Sequence, residues 1–155
     1  MNEIEMIAKD LMKAHGLINW KFAWNNKRTA FGTCRFSNRT IELSSELTPL
    51  RPKDETINTI LHEIAHALVG ANNGHNHIWR RKFIEMGGNG ERCSSTENID
   101  MKQVGNGNNW VATCVNGHEH VRFKKPPTKE TSCGLCSNKF DRRYILIYER
   151  QLKTA

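Results

Sequence analysis

The segment from Asp54 to Gly70 constrains the fold of this chain more than any other part of the sequence. Its apolar residues recur at the i, i+3, i+4, i+7 spacing of a helix with one buried face. They are Ile57, Ile60, Leu61, Ile64, Ala65, Leu68 and Val69. We expect Asp54 to be the N-cap and Gly70 to end the helix. A long amphipathic helix packed against other elements is therefore the centre of the predicted fold.

This helix also contains an HExxH sequence, formed by His62, Glu63 and His66. Two histidines four residues apart project from the same helix face, so their imidazoles can bind one Zn²⁺. Glu63 can act as general base toward a zinc-activated water without binding the metal. The competing interpretation is a pair of solvated histidines on a helix surface. The pattern favours a catalytic zinc site with Glu63 as the catalytic residue.

A catalytic zinc site also needs a third protein ligand and an open position for water. His75 and His77 both follow a loop that Gly70 and Gly74 allow to turn back toward the helix. Both histidines are close to the expected start of a second helix. Spacing alone therefore leaves His75 and His77 as alternatives for the third ligand.

A second candidate metal site lies in the C-terminal part of the chain. Cys133 and Cys136 form a CxxC knuckle, whose turn lets two thiolates share one metal ion. About twenty residues upstream, Cys114 and His118 enclose a similar turn. This layout is typical of a zinc ribbon. It predicts a closed, four-ligand structural site that stabilises a segment too small for a core of its own.

The fourth ligand of this second site has alternatives. His118 fits the knuckle geometry best, while His120 or Cys93 would give other ligand sets. A redox role for the CxxC sequence would require a βαβ pattern, which the sequence does not show. The predicted cofactors are therefore one catalytic and one structural Zn²⁺. Cys34 lies in an expected strand and is interpreted as a small buried apolar residue.

The remaining segments predict an α+β fold. The proposed domains are residues 1–88, a Gly-, Asn- and Ser-rich linker at 89–108, and a zinc ribbon at 109–155. Further helices are expected at 1–15 and about 76–86. Strands of a small, largely antiparallel three-stranded sheet are expected at 19–24, 30–36 and 39–44. Strands of the ribbon are expected at 110–115, 120–124 and 144–149.

Charge and composition bear on partners and compartment. The formal net charge is +7, with 23 Lys and Arg against 16 Asp and Glu, which favours an anionic partner, nucleic acid first. Glu3, Glu5 and Asp10 interrupt the N-terminal segment, so it does not look like a signal peptide. No apolar run has the length of a membrane span. These features predict a cytoplasmic protein that does not enter a membrane.

The motifs together resemble the SprT-like (Spartan-type) metalloprotease domain family. The resemblance is carried by LHEIAHALVG followed by GHNHIW, because that family has HExxH and then a further His shortly before an aromatic residue. The strand sequences GTCRF and TIELS, the ribbon sequences WVATC and SCGLC, and the closing YILIYER are also similar. The likeness covers nearly the whole chain and is greatest to the short bacterial and phage versions.

This resemblance implies a zincin-like fold and zinc-dependent endopeptidase activity. It implies that His75, four residues before Trp79, is the third ligand of the catalytic zinc. The implied substrates are proteins bound or crosslinked to DNA, with the ribbon and basic surface engaging single-stranded or junction-containing DNA. In a viral setting the expected location is the host cytoplasm. Many relatives have a second CxxC where this chain has Cys114 followed by His118.

Two alternative functions come from other classes. The first is a non-catalytic or regulatory DNA-binding zinc protein, and the second is a redox- or metal-responsive regulator that uses the ribbon cysteines. An intact Glu63 favours the enzyme, because a purely structural zinc site does not need an uncoordinated carboxylate there. In the ribbon, Trp110 and Phe123 either stack on unpaired bases or pack the ribbon's small core.

Overall fold

A computed structural model of the chain describes residues 2–92, 99–104 and 109–151. The chain divides into two compact units, Met1–Ile99 and Asp100–Ala155, and each is described by itself. The proposed linker at 89–108 spans this division. Cys93, one alternative ligand, lies outside the described residues.

The first unit combines three helices with a small sheet, which confirms the predicted α+β class. Its helices are α1 (Asn2–Ala14), α2 (Lys53–Val69) and α3 (His77–Glu85). Its strands are β1 (Lys21–Asn25), β2 (Gly32–Arg35) and β3 (Thr40–Ser44). All six elements overlap the segments in which the sequence predicts them.

The sheet is mixed, with strand order β1-β3-β2. β2 pairs with β3 antiparallel, whereas β1 pairs with β3 parallel. The expectation of a largely antiparallel sheet is therefore wrong for one of the two pairings. β3 is buried along its whole length and needs a strand on each edge. Because the β2–β3 hairpin occupies one edge, β1 takes the other, and its chain direction there is parallel.

Helix α2 is buried on two sides. One side contributes Ile60 and Ile64 to a core shared with α1 and the sheet. The remaining fully buried members of that core are Ala8, Met12, Leu17, Ile41 and Leu43. On its other side, Leu61 and Ala65 pack against Trp79 and Phe83 of α3. The helix that carries the HExxH sequence is therefore held between the sheet layer and α3.

The two ends of α2 differ in how well the sequence predicts them. Pro52 occupies the N-cap position without a side-chain hydrogen bond, so the expectation that Asp54 caps the helix is wrong. Asp54 instead lies in the first turn, where a carboxylate interacts favourably with the helix dipole. The expected end is confirmed, because Gly70 is the C-cap at φ 86° and its amide donates to the carbonyl of His66.

The second unit contains a three-stranded antiparallel sheet of order β5-β4-β6. Its strands are β4 (Asn109–Thr113), β5 (Glu119–Arg122) and β6 (Glu149–Gln151). The third strand begins only at Glu149, so the expected range of 144–149 is wrong except at its last residue. Ile145 forms an isolated bridge with Ser132 and the Leu146 amide donates to the carbonyl of Thr131, so this stretch is held by the knuckle segment instead.

The core of the second unit is small. It consists of Ala112, Cys114, Cys133 and Leu146, with Cys136, Tyr144 and Tyr148 packed against it. Two of the four buried residues are candidate metal ligands, so packing alone contributes little here. In the part of the chain that the structure describes, no helix has both the length and the apolar character needed to cross a membrane.

Candidate metal centres

Three histidines of the first unit converge on one point. The Nε2 atoms of His62 and His66 are 3.2 Å apart, and His75 Nε2 lies 3.1 Å from the first and 3.0 Å from the second. Zinc–nitrogen bonds of ~2.0–2.1 Å in tetrahedral geometry place ligand nitrogens about 3.3 Å apart. The three nitrogens therefore fit the ligand set of a single zinc ion.

The electrostatic surroundings keep these imidazoles neutral. Burial, reinforced by the neighbouring histidines, lowers the pKa of His62 to about 3 and that of His66 to about 4. Burial and then the charge of Arg92 lower the pKa of His75. Neutral imidazole is the form that binds metal ions. The site is thus prepared for a cation at neutral pH without having to release protons.

The loop between α2 and α3 brings His75 to the other two histidines. Gly70 and Gly74 have φ values of 86° and 47°, which favour glycine, and a short 3-10 turn, Ala71–Asn73, lies between them. The Asn76 side chain then caps α3 by accepting from the amides of Ile78 and Trp79. His75 belongs to the metal-competent group, whereas His77, the first residue of α3, does not.

The Trp79 indole packs against the rings of all three histidines. It is 1% exposed. Its ring centroid lies 4.7 Å from that of His62, 5.2 Å from that of His66 and 4.6 Å from that of His75. Its Nε1 donates to the carbonyl of His62 at 3.4 Å. The position of Trp79 in the sequence carries no signal of contact with all three ligands.

Glu63 lies in the wall of a cleft of about 490 Å³ that the three histidines also line. Its side chain is buried, with 7% of its surface exposed. Burial raises the pKa of Glu63 to about 8, against the opposing effects of the Cys34 backbone and of the Lys27 charge. A cation held by the adjacent histidines would favour the carboxylate form.

Strand β2 forms the opposite wall of this cleft. The lining there runs from Thr29 to Cys34. Cys34 is half-buried, so its interpretation as a small buried apolar residue is only partly correct. Burial and then the nearby Glu63 charge raise the pKa of its thiol to about 12, so it stays protonated. Arg92 is the one cationic side chain among the described residues that line the cleft.

The second unit brings together Cys114, His118, Cys133 and Cys136. The sulfurs of Cys114 and Cys136 are 3.7 Å apart, and His118 Nδ1 lies 3.3–3.6 Å from the three sulfurs. Tetrahedral zinc with ~2.3 Å bonds to sulfur places sulfurs about 3.8 Å apart and nitrogen about 3.5 Å from sulfur. The four donors fit zinc and would leave no open coordination position, as in a structural site.

His120 and Asn116 lie beside this group without belonging to it. His120 Nε2 is 3.2 Å from the sulfur of Cys133, and the Asn116 side chain donates to the sulfur of Cys136 at 3.3 Å. Hydrogen bonds of this kind stabilise thiolate ligands. Among the described histidines, His118 is the one that the structure places within the cysteine group.

Comparison with known protein families gives a match to one family model. The model of the SprT-like family matches residues 4–100, which is well over half of the chain. The match includes all three converging histidines and Glu63, and ends before the four candidate ligands of the second unit. No curated protein gives a significant match to this sequence.

Proposed function

Because the chain belongs to the SprT-like family, we propose that it is a zinc-dependent endopeptidase with Glu63 as its general base. The observation that carries this proposal is the placement of a buried carboxylate beside three Nε2 atoms within 3.2 Å of one another. A structural zinc site has four protein donors, whereas three donors leave a position for water. The adjoining cleft gives a substrate access to that position.

Each residue has a defined task in this mechanism. His62, His66 and His75 would hold the metal through neutral imidazoles. When bound, zinc lowers the pKa of a coordinated water to about 7 and polarises the peptide carbonyl. The Glu63 carboxylate accepts a proton from the attacking water and delivers it to the nitrogen of the leaving amine. Trp79 packs against all three imidazoles and so fixes their orientation.

The proposed protease fold is zincin-like. Two features support it: α2 carries both the general base and two ligands, and an edge strand runs along the opposite wall of the cleft. The third ligand comes from the loop that follows α2. Such an arrangement presents the scissile bond between a strand edge and the metal.

We propose DNA as the partner that brings substrates to the enzyme. Residues 100–155 contain ten Lys and Arg against five Asp and Glu, so they carry +5 of the total charge of +7. A basic segment of this kind binds phosphates and releases counterions. The charge is therefore concentrated in the unit that holds the second metal site.

A row of side chains on the second sheet fits unpaired bases. Trp110 of β4 lies directly opposite Arg122 of β5 and Arg150 of β6. Directly paired residues project from the same sheet face. Trp110 is half-buried, both arginines are exposed, and Trp110 does not belong to the core cluster of its unit. An aromatic ring between two cations suits stacking on a base with phosphate contacts on either side.

The decisive experiment measures cleavage of a DNA-binding protein by the zinc-loaded chain, with and without single-stranded DNA. We expect DNA-stimulated cleavage that Glu63→Gln abolishes while both zinc ions are retained. Glu85→Gln is the matched control, because it removes an exposed carboxylate and should leave the rate unchanged. Absence of cleavage under all conditions, with DNA binding intact, would instead establish the alternative of a non-catalytic DNA-binding zinc protein.

A further inference from the structure

Strand β2 approaches α2 so closely that position 32 has no room for a side chain. A β-carbon built on Gly32 would lie 2.7 Å from Oε1 and 2.8 Å from Cγ of Glu63, and 2.9 Å from Cγ2 of Thr59. Contacts this short require one of the partners to move. The backbone of Gly32 thus lies directly against the side chain of the proposed general base.

Thr59 cannot readily make room. Its side chain is buried, its hydroxyl donates to the carbonyl of Glu55 at 3.1 Å, and it accepts from Nη1 of Arg51 at 3.0 Å. Arg51 is itself 6% exposed and stacks over the Phe31 ring at 3.9 Å. Through these two contacts, Arg51 connects Phe31, the residue before β2, to the turn of α2 that carries Thr59.

The strand cannot readily retreat either. β2 is paired with the fully buried β3 from Gly32 to Arg35, and the Phe31 carbonyl accepts from the Ser44 amide at 2.8 Å. The movable partner is the Glu63 side chain. If it rotates away from position 32, its carboxylate changes position in the cleft that the three histidines also line.

We propose that the close contact between β2 and α2 positions the general base: the Gly32 backbone holds the Glu63 carboxylate in its working orientation. This inference rests on the proposed protease function. Gly32 is a positioning residue, because it acts through Glu63 and not on the substrate. The absence of a side chain there is a requirement of the reaction as well as of packing.

The test is Gly32→Ala in the zinc-loaded protein that comprises residues 1–155. We expect kcat to fall about 100-fold, since a displacement of about 1 Å costs on that order, with zinc content retained and KM changed far less. Gly134→Ala is the matched control, because a β-carbon at Gly134 meets nothing within 4 Å. The same loss from Gly134→Ala would overturn the proposal, as would full kcat in Gly32→Ala.

Two further measurements separate positioning of Glu63 from general damage to the fold. In a Glu63→Gln background, Gly32→Ala should cause no additional loss of residual activity. The double variant Gly32→Ala/Thr59→Ser removes the contact with Thr59 Cγ2 but keeps the clash with Glu63, so it should fold and remain slow. An equal loss in both backgrounds, or recovery of kcat in the double variant, would contradict the proposal.

A readout that does not depend on activity is the side-chain carboxyl resonance of Glu63. We expect Gly32→Ala to shift it as the new β-carbon displaces the carboxylate, whereas Gly134→Ala leaves it in place. An unshifted Glu63 carboxyl resonance in Gly32→Ala would overturn the inference. If the resonance shifts but the wild-type protein cleaves nothing, the protease proposal fails and the contact between Gly32 and Glu63 stands.

Discussion

The indole of Trp79 lies stacked against the imidazole of His66, with ring centroids 5.2 Å apart and the planes inclined by 24°. His62 and His75 meet the same indole edge-on. A single buried side chain therefore contacts all three proposed ligands. We therefore expect metal affinity and the packing of α3 to be coupled through this residue.

Trp79→Ala should weaken both properties. Removal of a buried Trp typically costs about 3–5 kcal/mol, and the unsupported imidazoles would no longer be held for binding. We expect faster hydrogen exchange of α2 amides and a lower zinc affinity. Ile78→Ala, a change at the exposed neighbouring position, is the control and should have little effect on either. An unchanged zinc titration curve for Trp79→Ala would contradict this role.

Replacement of His75 should remove one zinc ion from the protein. We expect His75→Ala to lose the metal of the first unit, because two imidazoles alone hold zinc weakly, while His77→Ala keeps it. The measurement is zinc per chain by elemental analysis after dialysis. If the two variants behave in the opposite way, His77 is the third ligand and the loop conformation differs in solution.

The histidines of the second unit should also differ in effect. His118→Ala removes a donor from the four-ligand group, so we expect loss of that zinc and unfolding of residues 109–151. His120→Ala should keep the metal but release it to a chelator faster, since loss of a hydrogen bond to a ligand typically weakens affinity by about 10–100-fold. Zinc release to a chromogenic chelator distinguishes them. Equal rates of zinc release from the two variants would contradict the distinct roles of His118 and His120.

Binding of single-stranded DNA should respond differently to Trp110 and Arg150. Trp110→Ala removes stacking worth about 1–3 kcal/mol per base and should leave the salt dependence unchanged. Arg150→Ala removes a phosphate contact and should reduce the slope of log K against log salt by about 0.7. Lys13→Ala, which removes one charge from the first unit, is the control. Salt-independent binding of the wild-type protein would exclude the phosphate contacts.

Local patterns were sufficient to predict much of this molecule. The apolar spacing in 57–69 predicts α2, and Gly70 predicts its end. Both signals depend only on residues within one or two helical turns of each other. The same holds for the HExxH sequence: a separation of four residues on a helix places His62 and His66 side by side wherever that helix packs. The family resemblance also follows from short contiguous motifs, and the family match confirms it.

Sequence patterns failed where chain segments far apart compete for the same neighbour. The parallel pairing of β1 with β3 depends on which edge of β3 the β2 hairpin occupies. Similarly, residues 145 and 146 have a strand-like sequence but pair with the knuckle segment at 131 and 132. Strand propensity describes a side chain on a pleated surface and carries no information about which strand will pair with it.

Spacing and composition alone predict the helix that carries the histidine pair, the types of side chain available to bind metal, and the basic charge of residues 100–155. Spacing left His75 and His77 as alternatives and the family resemblance implied His75, which the folded chain brings to the pair. The contact of Trp79 with all three histidines and that of Gly32 with Glu63 become visible only in the packed structure. The first set depends on spacing along one helix or on composition. The second depends on loop closure and on the distance between packed elements, which arise only when the whole core forms.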